Sequence, residues 1–116
     1  LSTRPVELQQ GAARLAREAG IDGFICPGEV AAMAVLAGLQ DDGLRIGLDV
    51  DVLAKQTSPT FDLYRPRIDT IYEDIREAGE TLGRLLLRRI ADEAPERLQL
   101  LLGPRASFRT GTGTAL

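Results

Sequence analysis

Phe24 to Leu36 reads "FICPGEVAAMAVL". Phe24-Ile25-Cys26 is a short apolar run of the kind that forms a buried strand. Pro27-Gly28 turns the chain. Val30, Met33, Ala34 and Ala37 then recur at helical spacing, up to a stop near Asp41-Asp42-Gly43. Strand, tight turn and helix is the unit on which α/β proteins place ligands. Two readings of the turn compete. A helix N-terminus with glycine can bind an anion. However, the stretch has one glycine and no lysine, so it is neither a P-loop nor a dinucleotide fingerprint. Glu29 would repel an anion, whereas a carboxylate in the first turn of a helix is favoured by the macrodipole. Locally, a helix start is the better reading.

The flanking segments extend the alternation. Leu8, Ala12, Leu15, Ala16 and Ala19 mark an upstream helix that Gly20 ends, and Asp22-Gly23 is a turn. Downstream, Val50, Val52 and Ala54 alternate with Asp51 and Leu53, which predicts a strand. "KQTSPTFDLYRPRID" (55–69) has two prolines and no period, and predicts a long loop. From Thr70 to Arg97 the pattern predicts the strongest helix. Ile71, Ile75, Ala78, Leu82, Leu85, Leu86 and Ile90 share a face, Glu80 can pair with Arg84, and Pro95 ends the helix. "LQLLL" and "ASFRT" predict two strands around Gly103-Pro104, and the tail 111–116 has little to bury. The order α, β, α, β, loop, α, β, β predicts an α/β fold, a parallel sheet flanked by helices.

Composition narrows the function classes. The chain has 116 residues, 44% hydrophobic and 27% charged, with a net charge of −3. An acidic balance argues against this chain gripping nucleic acid by itself. With no histidine, a His–metal site and a His general base are excluded, and the single cysteine, Cys26, permits no internal disulfide. No apolar run is long enough to span a membrane. The first residues, "LSTRPVELQQ", read as the middle of a longer protein. Glu73, Asp74, Glu77 and Glu80 could hold a metal, but Arg76 and Arg84 lie among them, which fits a solvated helix face. Asp41-Asp42, Asp49 and Asp51 fit turn and strand-edge positions. No set of base, nucleophile and metal ligands is visible, so an enzyme is disfavoured and no cofactor is implied. Met33, Phe61 and Tyr64 fit either core positions or anchors for a second chain.

The order of these parts, with "GLRIGLDVDVLA" (43–54), "RPRIDTI" (65–71) and "SFRTGT" (107–112), resembles the C-terminal part of the effector-binding domain of LacI/GalR-family transcriptional regulators. The resemblance implies part of a periplasmic-binding-protein-like type I fold, mainly its C-terminal subdomain. Residues 1–69 and 97–110 would belong to that subdomain, and the helix within 70–96 would pack on the N-terminal subdomain. It implies a small-molecule effector in the cleft between subdomains, at Gly28, Glu29, Lys55, Gln56 and Glu73. In the family an Asn-Asp pair and an aromatic-Asp pair stand where this chain has Gly28-Glu29 and Lys55-Gln56. A sugar-like effector then loses its usual partners, and an acidic or otherwise polar metabolite becomes an alternative. The family's homodimer would use Met33, Ala37, Phe61 and Tyr64. Operator DNA would be read by a helix-turn-helix outside this chain, in the cytoplasm. The alternative implied by the same fold is a periplasmic sugar-binding protein of a transport system.

Overall fold

The computed structural model describes residues 3–109. Two helices come first in space as well as in sequence. α1 (Pro5–Ala19) starts on Pro5 and closes on Gly20, whose φ of 63° lies in the left-handed region that glycine tolerates. α2 (Glu29–Asp41) follows β1 (Gly23–Cys26) through the Pro27-Gly28 turn. α1 packs on α2, and α2 packs on the sheet, which buries Ala32, Val35, Leu36 and Leu39. The helix pair is also stitched by polar contacts. Gln9 donates to Asp41 at 2.9 Å, and Arg17 pairs with Asp42. The two acidic residues that read as turn residues therefore hold α1 in place.

Among the described residues the sheet has four strands in the order β1-β2-β3-β4, with β2 (Asp51–Gln56), β3 (Asp69–Tyr72) and β4 (Arg105–Ser107). β1, β2 and β3 are mutually parallel, in the register Ile25–Leu53–Asp69. β4 runs antiparallel to β3, with Ile71 opposite Ala106. The sheet is thus mixed, with a reversed edge strand that the alternation of elements did not specify. Val52, Ala54 and Gln56 of β2 are buried beneath α2, whereas Asp51, Leu53 and Lys55 lie on the opposite face. At the base of the sheet Arg109 pairs with Asp51, and its backbone N–H donates to Asp69 at 2.9 Å.

The expected helix from Thr70 is shorter than predicted. Thr70-Ile71-Tyr72 form a strand, Glu73-Asp74 turn, and α3 runs from Ile75 to Ile90. Local chemistry decides this boundary. Thr, Ile and Tyr favour a pleated surface, β2 offers a free parallel edge, and Asp74 caps α3 by accepting the Glu77 N–H at 3.0 Å. Ile71 therefore belongs to the sheet and not to the apolar helix face. Arg84 donates to Thr81 at 3.0 Å instead of pairing with Glu80. Residues 98–102 form no strand, because no sheet edge reaches them, and Leu101 is 97% exposed. The expected loose tail, 111–116, lies outside the described residues.

Gly38 lets the helices meet. A Cβ built there would sit 2.0 Å from the Gln9 carbonyl oxygen, a backbone atom that cannot swing aside. Gly11, in α1, has open space around the same position. Gly38→Ala is expected to destabilise the protein by about 3 kcal/mol, the upper range for overpacking. Gly11→Ala is expected to stabilise it by about 0.5–1 kcal/mol. Urea unfolding of the two variants checks both signs.

Candidate functional site

The carboxyl ends of β1, β2 and β3 point the same way, and open α/β sheets bind ligands in the crevice outside those ends. Gly28, Glu29, Lys55, Gln56 and Glu73 all lie at that edge. What each can offer there differs from what its position suggests.

Gly28 is the N-cap of α2, with an extended φ of −173° and open space around it. It presents no side chain. Glu29 is committed to the protein. Its carboxylate accepts from the Thr57 and Ser58 backbone N–H groups at 3.1 and 2.9 Å, and from the Ser58 and Thr57 hydroxyls at 2.7 and 3.4 Å. These bonds, the Ser58 hydroxyl first among them, hold the carboxyl below its ordinary pKa. Glu29 therefore clasps the start of α2 to the chain leaving β2.

Gln56 is likewise committed. It is 3% exposed. Its amide oxygen accepts the Phe61 N–H at 3.1 Å, and its amide nitrogen reaches Asp62 at 3.4 Å. Its backbone carbonyl accepts the Glu73 N–H at 3.0 Å, which joins the ends of β2 and β3. Successive strand residues face opposite ways, so Lys55 and Gln56 do not converge on one ligand. Lys55 instead faces Glu73, with Nζ 2.7 Å from Oε2 and both side chains nearly half exposed. Beside them, the Arg105 guanidinium lies 5.0 Å from the centre of the Tyr72 ring and 4.0 Å from Asp74.

The residues expected at a partner interface also separate. Phe61 is 3% exposed and belongs to the core, because the Gln56 amide pins its backbone and folds the loop inward. It is corrected from interface to core. Tyr64 is half-buried, packs edge-on to Phe61 with centroids 6.0 Å apart, and donates its hydroxyl to Gln40 at 2.7 Å. Met33 is 45% exposed and Ala37, one turn on, is half-buried, so both remain on the outer side of α2. Cys26 is buried, and desolvation pushes its thiol pKa up, which fits a core role. Among the described residues no group of three or more His, Cys, Asp or Glu side chains could hold a metal ion.

Sequence reading missed Thr57, Ser58, Asp62, Tyr72 and Arg105. The usable signal was the pair of hydroxyl residues directly after a strand, opposite a carboxylate at a helix start.

Residues 2–112 match the periplasmic binding protein-like domain. The chain belongs to that family. An HTH-type transcriptional repressor PurR from Aliivibrio fischeri is 28% identical over 93 residues, covering 80% of this chain and 28% of the repressor. A LacI family transcriptional regulator from Arthrobacter, solved in complex with lactose, superposes with a TM-score of 0.68 at 26% identity, covering 78% of this chain and 34% of that one. The transcription regulator CcpA of Lactococcus lactis shares the fold with a TM-score of 0.74 at 21% identity, over 87% of this chain and 37% of its own. The chain thus spans 28–37% of the length of these relatives. Within the periplasmic binding protein-like domain these relatives are transcriptional regulators, and the chain corresponds to part of their effector-binding domain.

The Glu29 clasp has a pH signature. A carboxyl held below its ordinary pKa contributes fully above the ordinary range and loses that contribution as pH falls through its folded value. Glu29→Ala is expected to cost about 1–2 kcal/mol at neutral pH. It is also expected to flatten the acid limb of stability and to speed hydrogen exchange at Thr57 and Ser58. Thermal unfolding across pH and residue-resolved exchange measure these effects.

Proposed function

We propose that this chain is the effector-sensing and dimerisation portion of a LacI-type transcriptional regulator of the cytoplasm. The observation that carries the reading is the match, over most of the chain, to the effector-binding domain of repressors, with the expected cleft residues at the carboxyl edge of the parallel strands. A small molecule binds against that edge, between this subdomain and a second one. The molecule shifts the closure of the cleft only by its differential affinity for the open and closed states. α3 would be the element that meets the second subdomain, since its apolar stripe of Leu82, Leu86 and Ile90 is exposed here. Residues 1–69 and 97–110 would belong to the C-terminal subdomain. The outer side of α2, with Met33 and Ala37, and the neighbouring Tyr64 supply a surface for a second copy.

Reading of operator DNA is assigned to a helix-turn-helix outside these residues, in keeping with the net charge of −3. A transport role on the same fold is less well supported, because the relatives are repressors. No catalytic role is proposed for any residue.

Gel-shift titration of the complete regulator should show operator binding that an effector strengthens or weakens. The 116-residue chain should show no specific, salt-resistant DNA binding; if it does, the assignment of DNA reading is wrong. Light scattering should report a dimer or larger species, and a monomer at high concentration would refute the self-association.

A further inference from the structure

Three polar positions that would ordinarily serve a ligand at this edge are occupied or empty. Gly28 has no side chain, the Glu29 carboxylate is filled by Thr57 and Ser58, and the Gln56 amide is filled by Phe61 and Asp62. The Lys55–Glu73 pair differs. It closes across the ends of β2 and β3, and its side chains are 43% and 46% exposed. An ion pair this wet contributes little to stability, so its two halves exchange partners at small cost.

Glu73 also lines a cavity of about 250 Å³ between the start of α3 and the segment before β4. Asp74 and Glu77 add two further acidic residues to that lining, and Ala78, Leu102 and Pro104 make much of the rest apolar. Asp74 is already used, as the cap of α3 and near Arg105. Glu73 is the acid whose side-chain partner is a single half-exposed lysine.

We infer that this edge recognises a small zwitterion of the α-amino-acid type with an apolar side chain. The inference rests on the effector reading above and names the chemical class of that effector. The ligand ammonium takes the place of Lys55 on Glu73, the ligand carboxylate takes the place of Glu73 on Lys55, and the apolar side chain enters the cavity.

Other classes fit less well. A simple anion would meet Lys55 but would face the acidic residues of the cavity, and it would leave Glu73 without a counter-charge. A simple amine would strip Lys55 in the same way. A neutral sugar would bring no counter-charge to either Lys55 or Glu73, and the amide of Gln56, its remaining polar partner at this edge, stays turned inward. Only a ligand with both charges leaves neither Lys55 nor Glu73 unpaired.

Isothermal titration of the intact protein tests this with four probes: L-leucine, isocaproate, isoamylamine and lactose. L-leucine is expected to bind, and the two single-charge analogues to bind at least about tenfold more weakly, the loss of one charged hydrogen-bonding partner. Lys55→Met and Glu73→Gln should each weaken L-leucine by about tenfold, and the charge-swapped double variant Lys55→Glu with Glu73→Lys should recover part of it. Thermal unfolding of each variant checks that the fold is kept. If lactose binds and the variants leave it unchanged, the zwitterion assignment is overturned and effector sensing stands. If isocaproate or isoamylamine matches L-leucine, the two-charge recognition is overturned. If none of the four probes binds, the zwitterion assignment is overturned, and effector sensing is judged by the gel-shift titration of the complete regulator.

Discussion

The approach of α1 to α2 at Gly38 is the contact on which the arrangement of the site depends. With no side chain there, the Gln9 backbone can lie directly against α2. That contact sets how closely α1 lies on α2, and α2 carries Glu29 on its first turn. Glu29 in turn fixes Thr57 and Ser58, and the chain beyond them is folded inward by Gln56 onto Phe61. The strand ends are thus tied, step by step, to the start of a helix that α1 holds at close range. None of the individual bonds is large. Their effect comes from being connected, since each one fixes the donor or acceptor that the next requires.

The same helices cover only one face of the sheet. Val52, Ala54 and Gln56 are sealed beneath α2, while Ile25, next to Leu53 on the other face, is 83% exposed. α3 is similarly bare, with Ile75, Leu82, Leu86, Leu87 and Ile90 all at least 59% exposed. The Cα radius of gyration is 18.2 Å, against about 13 Å for a compact domain of roughly 100 residues. Parallel strands are normally buried on both faces, and apolar surface on this scale marks contact sites. The matched region covers only 28% of the repressor relative and 34% of the lactose-bound regulator.

Much of this fold could be read from the residues because its signals are local. Gly20 ends α1, Pro27-Gly28 precedes α2, and the alternation of Val52 and Ala54 marks the buried face of β2. β3 was hidden because Ile71 and Ile75 are spaced four apart, which satisfies a helical period even though the chain changes element between them. Only the Asp74 cap betrays the boundary, and an aspartate amid Glu73 and Glu77 looks like more helix surface. The reversed direction of β4 was not legible either, since pairing partners are set by where the chain returns and not by its composition. Phe61 was ambiguous for a related reason. Its burial depends on an amide five residues earlier, an interaction that no periodicity records.

The site shows what positional resemblance carries and what it does not. The backbone brings Gly28, Glu29, Lys55, Gln56 and Glu73 to the carboxyl ends of the parallel strands. The chemistry is not transferred with it. Glu29 and Gln56 stand where the resemblance implies ligand contacts, yet both satisfy their hydrogen-bonding capacity within the chain. A buried amide with both ends paired cannot turn to a ligand without leaving the Phe61 N–H unpaired, which costs more than an exposed contact returns. In the proposed reading, recognition falls instead to groups whose present partners are weakly held. At this edge those are the half-exposed charges, Lys55 and Glu73 foremost, whose mutual attraction is already shared with water.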